Sequence, residues 1–304
     1  MRKEFYYLSK DQETQIHAME WIPEGQVKVV LQISHGMVEH IARYDEFAGF
    51  LAEKGIYVVG NSHLGHGKSV TSQEKLGYFH DPDGNECVLG DIQELRKITQ
   101  EKYPFLPYFM LGHSMGSFLL RQYLGRYGEG LAGAVIVGTG DQPGIVLKLG
   151  KFVCRILAFF EGWDMRCSFV NEFAVGGYEK KLGKSWISRN EENVKAYTED
   201  PFCNFVFTLN AFYHMFDGMQ KMNVQERKGK IPKELPIFFA AGKEDLVGNK
   251  GKGVEKVYRR YVAQGMTQVK IKLYEEDRHE ILNETDREMV YQDIWQWIQE
   301  ILAN

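Results

Sequence analysis

The sequence predicts an α/β protein whose mostly parallel central sheet is covered by helices on both faces. Three observations support this prediction. Apolar, β-branched runs alternate with segments of helical periodicity, the runs are apolar at nearly every position, and one long aromatic-rich segment interrupts the alternation. Strands that are apolar on both faces are typical of parallel sheets with helices on either side. The 304 residues, 44% of them hydrophobic, suffice for one large domain with an insertion.

The first third of the chain begins with two predicted antiparallel strands, EFYYLS and TQIHAMEWIP. VKVVLQIS follows with the apolar, β-branched composition of a buried strand. Residues 41–54 carry apolar and aromatic side chains at helical spacing, and Gly55 suits the left-handed position just past a helix end. IYVVGN is the next predicted strand.

The alternation then continues to the C-terminus, with one gap. The further predicted elements are a helix at 88–101, the strand YFMLGH, a helix at 115–127, the strand AGAVIVG, the strand LPIFFAAG, a helix around 251–263, the strand VKIKLYE and a helix at 286–302. In the last helix, Val290, Ile294, Ile298 and Leu302 repeat on one face.

The gap falls between residues 141 and 230, where the chain is aromatic-rich and irregular with helical patches. It follows a strand, and loops leaving the carboxyl ends of strands surround the binding sites of open α/β sheets. We therefore predict a core domain formed by residues 1–140 and 231–304, and an inserted helical cap, or lid, at 141–230.

Composition excludes some functions and partners. The net charge of -4 gives no electrostatic basis for binding nucleic acid. The N-terminal MRKEFYYLSKDQ lacks the apolar run of a signal peptide, and no stretch is long and apolar enough to span a bilayer. Cys87, Cys154, Cys167 and Cys203 lie far apart and form no Cys-x-x-Cys pair. We expect a cytoplasmic protein with reduced thiols, and its oligomeric state stays open.

The stretch LGHSMGSFLL, residues 111–120, contains the pattern G-x-S-x-G through Gly112, Ser114 and Gly116. Ser114 lies directly between a predicted strand and a predicted helix, the context of a nucleophile on a sharp turn. The helix N-terminus would place backbone N–H groups beside a developing negative charge. We predict that Ser114 is a nucleophile, the alternative being a glycine-rich turn with an inert serine.

A serine nucleophile needs a base, and the base needs an orienting acid. Enzymes with this turn carry serine, acid and histidine in that order, the last two on loops after later strands. Asp245 follows the strand LPIFFAAG, and His279 follows the strand VKIKLYE, so we predict them as acid and base. Asp277 is the nearest rival acid, but a residue two positions from His279 would rarely face its Nδ1.

The oxyanion of an acyl-transfer reaction needs hydrogen-bond donors. VVLQISHGMVEH ends a predicted strand with His35 and Gly36, which matches the oxyanion loop of such enzymes. We predict that the backbone N–H groups of Met37 and Met115 are these donors; a simple turn is the alternative.

Several histidines surround these motifs and raise the question of a metal centre. They are His35, His40, His63, His66 and His113. No carboxylate stands at ligand spacing with them, and the Ser–Asp–His set explains the region better. We therefore expect no metal and no cofactor.

The segment SHGMVEHIARYDEFAGFLAEKGIYVVGNSHLGHGKS, together with GHSMGS, resembles the monoacylglycerol lipase and lysophospholipase-like group of α/β hydrolases. The matching pieces are H-G-x-x-E-H, R-Y, H-x-G-H-G-x-S, the serine motif, Asp245 and His279, from about residue 30 to 280. The resemblance implies an α/β-hydrolase fold with a cap over an acyl-binding pocket. It also implies a Ser114–Asp245–His279 triad, with Met37 and Met115 lining the oxyanion hole.

Two positions depart from the group's pattern. Ser62 precedes His63 where members often carry aspartate, which would alter loop support near the site. Ser117 stands where glycine is common, which would alter helix–strand packing. Neither touches the predicted triad, so they bear on substrate range.

The start of the predicted cap, GIVLKLGKFVCRILAFFEGW (144–163), combines basic and apolar residues. Lys148, Lys151 and Arg155 share one helical face. The helix either lies on an anionic membrane surface or packs its apolar face on the pocket with its lysines in water, and we favour the second. Further candidates for the pocket or the cap core are Trp163, Phe169, Phe173, Trp186, Phe205, Phe207 and Phe212.

We predict a serine carboxylic-ester hydrolase that acts on monoacylglycerols, lysophospholipids or simple acyl esters. One alternative is a peptidase or amidase such as a proline iminopeptidase. Those enzymes usually show H-G-G-P-G, where this chain has His35-Gly36-Met37-Val38. The other is a non-enzymatic ligand-binding homologue, which would have no need to keep a complete triad.

Overall fold

One eight-stranded sheet forms the centre of the computed structural model, which describes residues 1–174 and 178–303, without the side chains of residues 179 and 180. The strands are β1 (Arg2–Leu8), β2 (Gln15–Trp21), β3 (Val29–Ser34), β4 (Ile56–Asn61), β5 (Tyr108–His113), β6 (Gly133–Val137), β7 (Ile237–Gly242) and β8 (Val269–Tyr274). Their order is β1-β2-β4-β3-β5-β6-β7-β8. The two pairs that involve β2 are antiparallel and the other five pairs are parallel.

Helices cover both faces of this sheet, as the sequence predicted. They are α1 (Asp45–Glu53), α2 (Gly84–Lys102), α3 (Met115–Tyr127), α4 (Gly144–Glu161), α5 (Ser168–Ala174), α6 (Tyr178–Leu182), α7 (Glu191–Glu199), α8 (Leu209–Arg227), α9 (Lys252–Ala263) and α10 (Arg287–Leu302). Val30 packs into the core with α2, α3 and α9, whereas its neighbour Leu31 packs into the core with α1 and α10. Because successive strand residues point to opposite faces of the sheet, β3 contributes apolar side chains to the core on both faces.

The predicted elements are found, and their ends differ by a few residues. The helix expected over 41–54 begins at Asp45, because Ile41–Tyr44 form a short 3-10 turn. The helix expected from residue 88 begins at Gly84, since its first turn is polar and lacks apolar periodicity. Gly55 has a φ of 84°, as its position after α1 requires. The five helices α4–α8 occupy the stretch between β6 and β7.

A buried ion pair ties both ends of the α4–α8 segment to α3. The Arg121 guanidinium binds the Glu226 carboxylate through two contacts of 2.7 and 3.0 Å, and both side chains are fully buried. The same guanidinium donates to Thr139 Oγ1 and Gly140 O, where the chain enters the segment. Tyr261 also donates to Glu226, at 2.6 Å. The Arg121 guanidinium therefore binds both the first and the last part of this segment.

Replacing Glu226 by alanine is expected to lower the free energy of unfolding by about 3–5 kcal/mol, because it leaves Arg121 buried and uncompensated. The measurement is urea unfolding followed by circular dichroism. Glu199, in an exposed pair with Lys195, is the matched control; its replacement by alanine should change stability by about 0.5 kcal/mol or less. A loss below about 1 kcal/mol for Glu226→Ala would contradict the anchoring role.

Candidate active site

Ser114 stands on a sharp turn between β5 and α3. Its backbone has φ 53° and ψ -121°, a left-handed conformation that costs energy for any residue but glycine. The flanking glycines have no room for a side chain: a Cβ at Gly112 would overlap the Gly116 carbonyl, and one at Gly116 would overlap the Ser34 carbonyl. The Ser117 hydroxyl donates to the Ser114 carbonyl at 2.6 Å. The turn holds Ser114 with its side chain partly accessible.

The structure brings Asp245 and His279 together. Asp245 follows β7 and His279 follows β8, adjacent parallel strands whose carboxyl ends meet at the same edge. Asp245 Oδ2 lies 3.1 Å from His279 Nδ1, and both side chains are buried. The two groups are not aligned as a full hydrogen bond, although such contacts in ligand-free sites often tighten only when substrate binds. Asp245 Oδ1 accepts from the Val247 N–H at 2.8 Å.

Asp277, the rival acid, binds Arg189 and not His279. Its Oδ1 accepts from Arg189 Nη2 at 2.9 Å. Burial raises the pKa of Asp277 to about 7, and the neighbouring carboxyl of Asp286 adds to this effect. Asp277 therefore belongs to a separate charge cluster around Arg189.

The His279 imidazole is held between two aromatic rings. The rings of His113 and Trp186 lie 4.8 and 5.0 Å from it. Its backbone N–H donates to the Trp186 carbonyl, and its carbonyl lies 3.2 Å from His113 Nε2. Within the described part of the chain, His279 Nε2 has no hydrogen-bond partner. That nitrogen is therefore available to a substrate or to Ser114.

The loop after β3 passes beside the serine, where the oxyanion hole was predicted. A Cβ placed on Gly36 would lie 3.0 Å from the Cβ of Ser114 and 2.5 Å from a Glu39 oxygen. Among residues 1–174 and 178–303, the backbone N–H groups of Met37 and Met115 donate to no other residue. Both Met37 and Met115 line the cavity that contains Ser114.

Glu39 supports this loop, and reasoning from single residues missed it. Its buried carboxylate accepts from the Gly36 N–H, from the Tyr44 hydroxyl at 2.9 Å, and contacts His113 Nδ1 at 3.1 Å. Burial acts to raise the pKa of Glu39, but the bond and charge of His113, with the charge of Arg43, hold it far below its ordinary value. The only sequence signal was its place in H-G-x-x-E-H.

Arg43 joins the same loop to the loop that carries the histidine. Its guanidinium forms two bonds of 2.6 and 2.8 Å to Glu280, the residue after His279, and one of 3.2 Å to Glu39. It also donates to Asn193 of α7 at 2.9 Å. The R-Y motif thus marks a buried charge network behind the site.

Three of the other histidines noted in the sequence form a neutral cluster next to this loop. His35, His63 and His66 are fully buried, and burial lowers the pKa of His63 to about 3 and that of His66 to about 4. The Ser62 hydroxyl lies 3.4 Å from His17 Nδ1 and 3.5 Å from the Ile41 N–H. Because both contacts are long, the Ser62 hydroxyl gives this loop only weak support.

A cavity of about 730 Å³ opens above Ser114 and His279. Its apolar lining includes Phe118, Leu147, Phe173, Met215, Phe216 and Met219. Among the candidate aromatics, Phe173, Trp186 and Phe205 line the cavity, Phe207 and Phe212 are buried in the core, Trp163 packs on Tyr213 and Phe169 is exposed. The volume and lining suit a small ligand with an apolar chain.

The orientation of α4 differs from the favoured expectation, which placed its apolar face on the pocket and its basic residues in water. Lys151 pairs with Asp217 and Arg155 donates to Tyr213, so part of the basic face packs on α8. The small residues Gly150, Cys154 and Ala158 allow this close approach of the two helices. Because the side of α4 with small residues packs on α8, its large apolar side chains face outward. The exposed ones are Ile145, Leu149, Phe152, Ile156, Phe159 and Phe160. The expectation that the apolar face covers the pocket holds only for Val146 and Leu147.

In the part of the chain that the structure describes, none of the helices combines the length and apolarity needed to cross a membrane.

Comparisons with known proteins identify the family and the fold. The profile of the Hydrolase_4 family, described as serine aminopeptidase, S33, matches residues 25–286. Monoglyceride lipase from Rattus norvegicus is 25% identical over 93% of this chain and 86% of its own length. Monoacylglycerol lipase from Mycolicibacterium smegmatis is 25% identical over 91% of this chain and 90% of its own length. The structure of a thermostable carboxyl esterase from Bacillus coagulans superposes with a TM-score of 0.90 at 31% identity, covering 99% of this chain and 98% of that chain.

Proposed function

The chain belongs to the serine aminopeptidase, S33 family of α/β hydrolases, and on that premise we propose that it hydrolyses carboxylic esters with an apolar acyl chain. The observation that carries the proposal is the arrangement of Ser114, on its strained turn, in one apolar cavity with His279 and its partner Asp245. Relatives named monoglyceride lipase and carboxyl esterase support the same chemistry.

The proposed mechanism proceeds through an acyl-enzyme. The Ser114 hydroxyl attacks the ester carbonyl while His279 Nε2 takes its proton, and Asp245 orients the imidazole and stabilises its cationic form. The backbone N–H groups of Met37 and Met115 bind the oxyanion. His279 then protonates the leaving alcohol, and water repeats the sequence on the acyl-enzyme. These steps use only the chain's own residues.

Monoacylglycerols and lysophospholipids are the proposed substrates, with residues 141–230 as a cap that closes an apolar acyl site. A peptidase that binds a free amine would need unpaired carboxylates in the cavity. Among the side chains that the structure describes, the two glutamates that line it, Glu39 and Glu280, are buried and are held by Arg43 and His113. Their charges are thus compensated, which favours ester over aminopeptide substrates.

The test is kcat/KM for p-nitrophenyl esters from acetate to palmitate, below their micelle concentrations, beside monoacylglycerols and matched amides. Each methylene buried in the cavity contributes about 0.8 kcal/mol, so each added carbon should raise kcat/KM by up to about fourfold until the site is full. Beyond that length the value should fall, because a closed cavity has an end. A flat profile, or one that declines from acetate, would count against the acyl site, and faster amide turnover would count against the esterase.

We also propose that the exposed face of α4 contacts a lipid surface. Phe159 and Phe160 are 83% and 75% exposed, on a helix that also presents Lys148. Replacing both phenylalanines by serine should weaken binding to phosphatidylcholine vesicles by about tenfold or more and slow hydrolysis of vesicle-borne monoacylglycerol. Turnover of soluble p-nitrophenyl butyrate should not change. Phe105, 94% exposed on the loop before β5, is the control, because Phe105→Ser removes an equally exposed ring elsewhere. Equal losses in both variants would reject the assignment to α4.

A cytoplasmic location is part of the proposal. It is supported by the four cysteines, all buried and all unpaired. The test is the location of the tagged protein after cell fractionation.

A further inference from the structure

A second set of chemically active side chains lies at the start of α2, outside the cavity. The set consists of His80, Asp83 and Cys87, whose ligand atoms all lie within 4.8 Å of one another. His80 Nε2 is 3.6 Å from Asp83 Oδ1, and Cys87 Sγ is 3.7 Å from the same oxygen. Asp83 is more than half exposed and His80 about one-third exposed, whereas Cys87 is buried, so solvent reaches the set through His80 and Asp83.

These separations match the edges of a tetrahedral zinc site. With zinc–ligand bonds of about 2.1 Å to nitrogen and oxygen and about 2.3 Å to sulfur, the ligand atoms lie about 3.4–3.6 Å apart. The distances from Asp83 to His80 and to Cys87 meet this requirement. The ligand atoms of His80 and Cys87 lie within 4.8 Å of each other, and a rotation of the partly exposed His80 ring would shorten this third edge. Imidazole, carboxylate and thiolate are all ligands that zinc accepts.

A second cluster of the same composition, His40, Asp200 and Cys203, does not have this spacing. His40 Nε2 and Asp200 Oδ2 are only 2.8 Å apart, the length of a hydrogen bond. Two atoms at that separation are too close to bind one zinc ion without moving apart. His40 and Asp200 therefore already satisfy each other, and the cluster serves as an internal control.

The charged neighbours of the first cluster leave its carboxylate unpaired by any strong base. Within the described residues, Asp83 forms no ion pair with a lysine or an arginine. The described cations nearby are already paired: Lys221 and Arg126 both bind Glu86.

We propose that His80, Asp83 and Cys87 bind a zinc ion, with the fourth position open to water. The ion would fasten α2 to the segment that precedes it. Asn210, in the first turn of α8, bonds both to the Phe79 N–H and to the His80 carbonyl, each at 3.0 Å. Zinc would therefore stiffen the junction between α2 and the base of the proposed cap. This proposal is independent of the proposed function.

The test is titration of the reduced, metal-free protein with Co²⁺, which reports thiolate ligation through a thiolate-to-cobalt charge-transfer band. One equivalent of Co²⁺ should saturate the band, and Zn²⁺ should displace it. Cys87→Ser should abolish the band, and Asp83→Asn should weaken the apparent Kd by about tenfold or more. Cys203→Ser, in the internal control cluster, should leave it unchanged.

Thermal unfolding gives a second readout, because a ligand of the folded state raises Tm. Saturating Zn²⁺ should raise Tm by about 2–4 °C in the unmodified chain and by less in Asp83→Asn, in line with its weaker binding. Asp83 is exposed, so this variant keeps the fold, which circular dichroism verifies. The proposal is overturned if no band forms, if the band survives Cys87→Ser, or if Cys203→Ser removes it.

Discussion

Replacing Ser114 by alanine is expected to abolish ester hydrolysis, lowering kcat/KM by about 10⁴-fold or more, while the fold remains intact. The variant keeps the turn, the Asp245–His279 pair and the oxyanion loop, but it has no nucleophile to form the acyl-enzyme. Covalent labelling by a fluorophosphonate should disappear with the activity. The measurements are ester turnover, probe labelling and far-ultraviolet circular dichroism.

Ser168 is the matched control, because it lines the same cavity but lies at the start of α5 and not on the turn. Ser168→Ala should be labelled as fully as the unmodified chain. Full labelling of Ser114→Ala, or loss of labelling in Ser168→Ala, would refute the assignment of the nucleophile.

Replacing Asp245 by asparagine is expected to lower kcat by about 10³–10⁴-fold. The amide would present an N–H to His279 Nδ1, which stabilises the tautomer that cannot accept the proton of Ser114. It would also leave the imidazolium without its carboxylate. The measurement is steady-state hydrolysis of a soluble p-nitrophenyl ester, with circular dichroism to establish that the variant is folded.

Asp277→Asn is the matched control, a carboxyl just two residues from the same histidine. Its partner is Arg189, and among the described residues its carboxyl forms no hydrogen bond with His279, so the amide should leave the imidazole in place. We expect nearly unchanged kcat in this variant. If Asp277→Asn were the inactive one and Asp245→Asn the active one, the roles proposed for the two acids would have to be exchanged.

The parts of the site that lie on regular elements could be predicted from local sequence. Ser114 could be singled out because its motif falls between an apolar strand and a helix, with a glycine on each side. The structure then shows that neither glycine has room for a Cβ. Asp245 and His279 were recognisable because each follows a strand of a parallel sheet, and those strands must end at the same edge.

Side-chain partners distant in the sequence could not be predicted in this way. Glu39 and Glu280 are 241 residues apart in the sequence, yet both contact Arg43. Charge and hydrogen bonding carry no periodicity, so apart from the place of Glu39 in H-G-x-x-E-H nothing local distinguishes these glutamates from the many exposed ones. The orientation of α4 was missed for a related reason. Its small residues pack against α8, and this close contact, not the distribution of its large apolar side chains, decides which side of the helix is buried.

The sequence by itself therefore determined the α/β class, the order of the elements, the sharp turn at Ser114 and the loops that carry Asp245 and His279. Those features depend on apolar periodicity, glycine sterics and strand direction, which act over a few residues. Only the tertiary structure decided that Arg43 links the oxyanion loop to the histidine loop, and that Phe159 and Phe160 face outward. Those outcomes depend on which surfaces pack together, and close packing is decided by residues that lie far apart in the sequence.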